Sequence, residues 1–156
     1  MDKVFEEQLN QFILNKAIIP KSLGLWERYF KKMCLAWQDM KPEIQAQHII
    51  FSADNGISVD GLIGYNYEIT RKQSQNMIDG KSAVANYCIF NHIPYEVVDV
   101  GIACPQGIGI NRKVAQGTKN ILDGAAMSAE EFDLAYQAGY NRVVSVSYTH
   151  LRAHET

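Results

Sequence analysis

The chain has 156 residues, of which 47% are apolar and 21% are charged, and its 15 basic and 17 acidic residues leave a formal net charge of −2. This composition is typical of a soluble globular domain and excludes a disordered chain. The near-neutral charge excludes the basic surface of a nucleic-acid-binding protein and a polybasic membrane patch. No apolar run reaches the roughly 18 residues that a transmembrane helix needs.

The cysteines and the first residues predict where the protein resides. Met1–Glu7 lacks the basic start and the apolar run of a signal peptide. Cys34, Cys88 and Cys104 are widely spaced and form no CxxC pair. An odd number of isolated cysteines fits a reducing compartment better than a disulfide framework. We therefore predict a cytoplasmic protein.

Two helices are predicted at the start of the chain, over residues 1–42. Apolar residues recur at helical spacing from about Asp2 to Lys16. After Pro20, Ser22 can cap a second helix, which Lys41-Pro42 would end. An aromatic stripe along this second helix is expected to lie in a core or an interface; it contains Trp26, Tyr29, Phe30 and Trp37.

Residues 43–145 alternate between strand and helix patterns. The apolar run His48–Ala53 predicts a buried parallel strand. Helices are expected at about residues 67–78 and 82–91, and Tyr95–Val100 predicts a second strand. A long irregular stretch covers Ile102–Met127, a length that is usually functional or disordered.

The last natural part of the chain predicts one more helix and one more strand. Ser128 and Glu131 form a capping-box pattern for a helix ending near Gly139, and Asn141–Val144 predicts a third strand. Strands alternating with helices indicate an α/β fold. We predict an incomplete, doubly wound parallel sheet of about three strands, preceded by the two N-terminal helices.

Residues 146–156 resemble a translated sequencing adapter, so we expect them to be foreign to the natural protein and exclude them from the fold. His150 and His154 are four residues apart, as in some zinc sites, but a bare HxxxH without a third ligand is a weak signal. We therefore predict no metal site. Gly107-Ile108-Gly109 is likewise too weak for a dinucleotide fingerprint.

Two strand-end loops carry the candidate site, because open α/β proteins bind ligands at the carboxyl ends of their strands. Asp54 follows the first strand and is either a functional carboxylate or the cap of a local turn. Gly101 follows the second strand and permits a tight turn or a close backbone approach. Gly117–Asn120 is either a phosphate cradle, from backbone N–H groups, a hydroxyl and an ammonium, or a solvated loop.

An ordered series of short motifs over about residues 15–144 resembles the nicotinate-nucleotide:dimethylbenzimidazole phosphoribosyltransferase family. The matching strings, in chain order, are Pro20–Gly24, Ala53–Gly56, Gly61, Ile69-Thr70, Gln73, Asn76-Met77, Asp99–Gly101, Gly117–Ile121 and Ala126–Ser128. Asn55 stands where the family has a histidine, and Tyr65-Asn66 stands where it has a Tyr-Pro or Ser-Pro pair.

The resemblance implies an enzyme that transfers phosphoribosyl from nicotinate mononucleotide to dimethylbenzimidazole or a related base in the assembly of the cobalamin lower ligand. It implies a homodimer, small-molecule substrates and no cofactor. The family's general-base glutamate has no counterpart here, so we expect the chain alone to be inactive. The substrate-binding positions that the resemblance implies are Asp54, Asn55, Gly56, Tyr65, Thr70, Gln73, Gly117, Thr118 and Asn120.

The resemblance also places the aromatic base at the start of the helix near Thr70. Tyr65 could stack on the base, and Gln73 could donate or accept a hydrogen bond. Met77 either packs beneath the base or lies in the core. A non-catalytic module of the same fold, which binds a base or a nucleotide without turnover, is the alternative function.

Overall fold

The computed structural model describes residues 3–16, 19, 22–43, 45–60 and 68–151. The chain divides into two compact units, Met1–Ile44 and Gln45–Thr156. The expected division into residues 1–42, 43–145 and a foreign tail at 146–156 stays a prediction.

The first unit is a pair of helices, α1 (Lys3–Leu14) and α2 (Leu25–Trp37). They pack through Leu9 and Cys34, whose side chains are fully buried. An ion pair of 3.1 Å joins Glu6 to Lys31 across the two helices. Burial is the main reason that the pKa of the Cys34 thiol is raised above its ordinary value. The two predicted N-terminal helices are therefore confirmed.

The start of α2 differs from the prediction, because Ser22 does not cap it. The residue before the helix is Gly24, with a φ of 54° and no side-chain capping bond. Gly24 tolerates this left-handed conformation because it has no Cβ. The helix ends at Trp37, earlier than Lys41-Pro42, since Gln38 adopts a left-handed conformation and its N–H donates to the Cys34 carbonyl.

The aromatic stripe of α2 does not lie in a core. Trp26, Tyr29 and Trp37 are 76%, 51% and 55% exposed, whereas Phe30 is half-buried. Two packed helices bury only the faces that contact each other, so aromatic side chains on the rest of α2 stay exposed. The expectation that these rings lie in an interface stays a prediction.

The second unit is built on a three-stranded parallel sheet. Its strands are β1 (His48–Ala53), β2 (Tyr95–Gly101) and β3 (Ile110–Asn111), in the order β1-β2-β3. Strand β1 pairs in register with β2 as far as Ser52 opposite Asp99, and an irregularity then brings Ala53 opposite Gly101. The predicted α/β fold with about three parallel strands is confirmed.

Helices α3 (Glu68–Ile78) and α4 (Ala83–Phe90) connect β1 to β2, and a 3-10 helix spans Gly56–Asp60. Ser82 caps α4, since its Oγ accepts from the Ala85 N–H at 3.2 Å. Helix α3 packs against both β1 and β2. The hydroxyl of Tyr95 donates to the Met77 carbonyl at 2.9 Å, which ties the start of β2 to the end of α3.

Strand β2 lies in the core, whereas β1 does not. Val97 and Val98 are 3% and 0% exposed, and Ala85 and Cys88 of α4 are equally buried. In β1, Ser52 is buried but Phe51 is 43% exposed. The prediction that β1 is a buried strand is therefore wrong. Among the described residues β1 pairs with β2 alone and is therefore an edge strand. Its side chains point to the two faces of the sheet, so only a helix or another layer packed on those faces could bury them.

Helix α5 (Ala129–Leu151) replaces the predicted third strand. The capping box is confirmed, because Ser128 Oγ accepts from the Glu131 N–H and the Ser128 N–H donates to Glu131 Oε2, at 3.1 and 2.7 Å. The helix does not end near Gly139, and Asn141–Val144 is helical rather than extended.

The physical reason lies in the backbone at Gly139 and in a contact beyond it. Gly139 keeps a negative φ, so its flexibility is not used for a turn, and one glycine costs a helix only about 1 kcal/mol. Arg142, inside the predicted strand, instead reaches from α5 to Glu96 of β2 through two hydrogen bonds. The third strand of the sheet is β3, within the stretch that was predicted to be irregular.

Among the residues that the structure describes, we find no helix with the length and apolar character of a membrane span.

Candidate active site

Asp54 lies directly after β1 and is 5% exposed. Its Oδ2 accepts from the Ala103 N–H at 2.7 Å, a residue 49 positions later in the chain. Its own N–H donates to the Gly101 carbonyl, and its carbonyl accepts from the Thr118 N–H, both at 3.0 Å. The carboxylate and the carbonyl of Asp54 therefore bond to two loops that are distant in sequence. A carboxylate that only capped a local turn would bond to neighbouring residues instead.

Gly56 brings the loop after β1 into direct contact with the predicted phosphate cradle at Gly117–Asn120. Its N–H donates to Thr118 Oγ1 at 3.0 Å, across 62 residues of sequence. A Cβ on Gly56 would lie 2.4 Å from both the Lys119 carbonyl carbon and the Thr118 carbonyl oxygen. The loop at Gly117–Asn120 is therefore seated on Gly56 so closely that only glycine fits.

Two backbone donors of the predicted phosphate cradle, the N–H groups of Thr118 and Lys119, already have protein partners. The Thr118 N–H bonds to the Asp54 carbonyl, and the Lys119 N–H donates to the Ala126 carbonyl at 2.8 Å. Asn120 Oδ1 accepts from the Leu122 N–H at 3.0 Å, which forms a tight local turn. These bonds fix the shape of the loop. Binding of substrate by Gly117, Thr118 and Asn120 stays a prediction.

A cavity of about 130 Å³ opens where β1 and β2 end. Its volume is close to the roughly 150 Å³ that suffices for a single benzene ring. Its walls are mostly alanine, glycine and valine, with two carboxylates, Asp54 and Glu131. The lining residues are Ala53, Asp54, Val100, Gly101, Val114, Ala115, Gly117, Thr118, Ala126, Met127, Glu131 and Ala135.

Glu131 was not among the predicted site residues. Its capping-box position predicted a structural role, and its Oε2 does accept from the Ser128 N–H. The same position, in the first turn of α5, also turns it toward the ends of the strands. A capping glutamate that follows a family motif (Ala126–Ser128) was the available signal.

A second buried carboxylate, Asp99, shapes the loop after β2. It is completely buried, and its oxygens accept from the N–H groups of Gly101, Ile102 and Ile108 at 2.9 to 3.2 Å. Lys113 Nζ lies 3.3 Å from its Oδ2. Sequence reasoning treated Asp99 only as part of a motif and missed Lys113. Asp99 therefore connects Gly101, Ile102, Ile108 and Lys113 within the long stretch that begins at the end of β2.

The other predicted site residues do not line this cavity. Asn55 is exposed, and its carbonyl accepts from Ser58 at the start of the 3-10 helix. Thr70 is half-buried on α3, while Gln73 is exposed. Met77 is half-buried. Tyr65 lies outside the described residues.

The described residues offer no obvious metal centre. No group of three His, Cys, Asp or Glu side chains in this part of the chain could hold a metal ion. The three cysteines are free, with Cys34 and Cys88 buried and Cys104 partly exposed.

Comparison with known proteins identifies the family. A family model described as phosphoribosyltransferase matches residues 1–151. The nicotinate-nucleotide–dimethylbenzimidazole phosphoribosyltransferase of Bacteroides fragilis is 34% identical over 143 residues, which are 88% of this chain and 41% of the relative. The enzyme of the same name from Janthinobacterium sp. is 31% identical over 144 residues, 89% of this chain and 41% of the relative.

The fold is similar to a solved structure as well. The crystal structure of CobT from Thermus thermophilus has a TM-score of 0.68 and 26% identity, covering 91% of this chain and 45% of that protein. The chain thus spans less than half the length of the relatives that it matches. Because the family model covers nearly all of the chain, the chain belongs to the nicotinate-nucleotide–dimethylbenzimidazole phosphoribosyltransferase family.

Proposed function

We propose that the full-length protein transfers phosphoribosyl from nicotinate mononucleotide to dimethylbenzimidazole or a related base, in the assembly of the cobalamin lower ligand. This chain would supply one side of the active site. The observation that carries the proposal is the convergence of two family motifs, Ala53–Gly56 and Gly117–Ile121, through the Gly56–Thr118 hydrogen bond at the strand ends.

The reaction defines what the site must provide. The bond between the nicotinate ring nitrogen and the ribose C1′ breaks while a benzimidazole nitrogen bonds to C1′, and the second benzimidazole nitrogen loses its proton to a base. Positive charge builds up on the ribose as nicotinate leaves. Apolar walls suit the flat base, and oriented donors suit the 5′-phosphate.

The described residues meet part of these needs. The cavity at the ends of β1 and β2 has mostly apolar walls and a volume close to that needed by one aromatic ring. Asp54 and Glu131 are among its lining residues. The Thr118 hydroxyl accepts from Gly56 and still carries a hydrogen that it can donate to a phosphate oxygen. Gln73 is exposed on α3 and does not line this cavity, so its proposed hydrogen bond places the base at that helix, outside the cavity. We propose Asn55, Tyr65, Thr70 and Asn120 as further substrate contacts.

The activity test compares the full-length protein with the 156-residue chain. The full-length protein should release nicotinate and form α-ribazole phosphate from nicotinate mononucleotide and dimethylbenzimidazole, measured by chromatography. The chain alone should not exceed the rate without enzyme, because the family's general base, which is worth about 10²–10⁴-fold, has no counterpart in it. Product formed by the chain alone would show that its own carboxylates complete the site.

Gln73→Ala tests the placement of the base in the full-length protein. The loss of one hydrogen bond to a neutral partner, about 0.5–1.5 kcal/mol, should raise the KM for the base roughly 2–13-fold and the KM for nicotinate mononucleotide less. Gln75→Ala is the control, since Gln75 lies on the same helix and bonds to Asp79 at its exposed surface. Equal effects on both substrates would mean that Gln73 does not contact the base.

A base- or nucleotide-binding protein without turnover is the second candidate, favoured by Asn55 in the place of the family's histidine. Asn55 is exposed beside the site, so its substitution can alter chemistry without disturbing the fold. Calorimetry with nicotinate mononucleotide and with dimethylbenzimidazole separates the two. Binding of either by the full-length protein, with no product after prolonged incubation, would favour the binding protein.

We also propose a cytoplasmic location and a homodimer for the full-length protein. Three free cysteines support a reducing compartment. Light scattering on the full-length protein measures its mass, and a monomer at micromolar concentration would contradict the dimer.

A further inference from the structure

Three successive backbone N–H groups at the end of β2 and just beyond it bond to two buried carboxylates. Gly101 and Ile102 donate to Asp99 Oδ1 at 3.1 and 2.9 Å, and Ala103 donates to Asp54 Oδ2 at 2.7 Å. Segment 101–103 is therefore a bridge between the carboxylates that end the two neighbouring strands. The position of Asp54 in the candidate site depends on where this bridge lies.

Lys113 is the cation that stabilises the bridge from the side of Asp99. Its Nζ lies 3.3 Å from Asp99 Oδ2, and the two side chains are only 12% and 0% exposed. The same ammonium donates to the carbonyls of Cys104 and Gln106, which directly follow segment 101–103. Lys113 therefore holds both Asp99 and the turn at residues 104–106.

The backbone beside Lys113 continues into the cavity wall. The Arg112 N–H donates to the Asp99 carbonyl at 2.8 Å, and the Val114 N–H donates to the Val100 carbonyl at 3.2 Å. Val114 and Gly117 line the cavity, and the N–H of the next residue, Thr118, donates to the Asp54 carbonyl at 3.0 Å. Displacement of Lys113 would thus be transmitted both through the bridge and through residues 114–117.

We infer that Lys113 is a positioning residue for the proposed transfer reaction: by neutralising Asp99 and holding the turn at 104–106, it sets the place of Asp54 and of the Gly117–Thr118 loop. This inference rests on the proposed function for its kinetic part. Its structural part stands separately, because a completely buried carboxylate that loses its cation must find new partners or admit water.

Cys104 gives a readout that needs neither substrate nor turnover. Its Sγ donates to the Gln106 carbonyl at 2.9 Å and lies 3.8 Å from Lys113 Nζ, inside the turn that Lys113 holds. Trypsin releases residues 82–112 as one peptide, so the buried Cys88 is an internal reference on the same fragment. The rate of iodoacetamide alkylation at each cysteine is read by tandem mass spectrometry of this peptide.

Four variants of the full-length protein decide the matter. Lys113→Met removes the charge, Lys113→Gln keeps a donor without the charge, and Lys113→Arg keeps the charge. Lys72→Met is the matched control, because Lys72 pairs with Glu68 at 3.2 Å but is 69% exposed, and its loss leaves the trypsin site at Lys81 in place. We expect alkylation of Cys104, relative to Cys88, to rise at least about tenfold in Lys113→Met and Lys113→Gln, and to stay near the original rate in the other two, as a difference between a buried and an exposed ion pair.

The kinetic readout separates positioning from mere stability. Lys113→Met should lower kcat/KM by about 10²-fold and raise the KM for nicotinate mononucleotide, since small displacements of a site have effects of that size. A purely structural residue would reduce the folded fraction and leave KM unchanged. If Lys113→Met does not fold, Lys113→Gln takes its place in both assays.

Unchanged Cys104 alkylation in folded Lys113→Met or Lys113→Gln, or an unchanged KM in an active enzyme, would overturn the inference. If the full-length protein lacks transferase activity altogether, the proposed function fails while the alkylation result still decides whether Lys113 holds the loop.

Discussion

The carboxyl ends of β1 and β2, called the carboxyl-terminal edge of the sheet below, differ from helix α5 in how their side chains are accommodated. At the edge, Asp54 and Asp99 are almost completely buried, and every described buried side-chain nitrogen or oxygen has a hydrogen-bond partner. Along the 23 residues of α5, large apolar side chains face outward; they are Phe132, Leu134, Tyr136, Tyr140, Val143 and Val144. The buried polar groups of the edge are therefore hydrogen-bonded within this unit. The large apolar side chains of α5 are exposed among the described residues.

The difference shows which kind of surface a partial fold can complete by itself. Hydrogen bonds and ion pairs at the edge join residues inside this unit, such as Asp54 with Ala103. Burial of an apolar helix face needs a large area from another element. The half-exposed strand β1 has the same unmet need, with Phe51 43% exposed. We therefore expect this chain to expose apolar surface and to aggregate more readily than the full-length protein.

The largest expected effect comes from filling the closest contact at the edge. Gly56→Ala would place a Cβ 2.4 Å from backbone atoms of Thr118 and Lys119, which cannot move aside as a flexible side chain could. Overpacking of this kind should destabilise the chain by about 3 kcal/mol. Urea denaturation followed by circular dichroism measures the change. An unfolding free energy within about 0.5 kcal/mol of the original would mean that the Gly117–Asn120 loop is not seated on Gly56.

The next effect concerns the ion pair that connects α5 to the sheet. Arg142→Met removes two charge-assisted hydrogen bonds to Glu96 and should cost about 1.5 kcal/mol, since both side chains are partly exposed. Lys72→Met is the control, because its pair with Glu68 is about 70% exposed and should contribute little. Equal melting temperatures for the two variants would show that Arg142 does not anchor α5.

The same ion pair sets a direction for pH dependence. The hydrogen bonds with Glu96 raise the pKa of Arg142 above its ordinary value. A raised pKa in the folded state means that the stability from this charge is fully present below the unfolded pKa, and it is lost only as the pH rises through the folded pKa. The difference in melting temperature between the original chain and Arg142→Met should therefore be constant from pH 7 to 10. A difference that shrank within that range would contradict the assignment.

Gly139→Ala should act in the opposite direction to Gly56→Ala. A Cβ on Gly139 meets nothing within 4 Å, and the residue lies inside a helix. Alanine should therefore stabilise α5 by up to about 1 kcal/mol. A destabilising effect, measured in the same denaturation assay, would indicate that residues 139–144 are not helical under those conditions.

The smallest effect on stability should come from the exposed face of α5. Phe132→Ser changes a side chain that is 58% exposed, so the unfolding free energy should move by less than about 0.5 kcal/mol. Aggregation should nevertheless decrease, measured as turbidity and by the binding of a dye that fluoresces on apolar surfaces. A large loss of stability would reveal that Phe132 is packed in solution.

Local sequence patterns were enough for helices α1 to α4, strands β1 and β2 and the start of α5. The apolar runs located β1 and β2, and the capping residues Ser82 and Ser128 marked the starts of α4 and α5, because these signals act between neighbouring residues. Motif order also placed Asp54, Gly56 and Thr118 in one site, which the hydrogen bonds bear out as contacts. Their binding of substrate stays a prediction.

Only the tertiary structure decided how far helix α5 extends and which charged side chains form ion pairs. Asn141–Val144 has the β-branched pattern of a strand, yet it is helical, since α5 continues from its cap and Arg142 bonds to Glu96, 46 residues away. Asp99 with Lys113 and Asp54 with Ala103 are likewise remote pairs that no local spacing indicates. Distance along the chain does not determine distance in space, so buried ion pairs that shape a site become visible only once the sheet has brought their strands together.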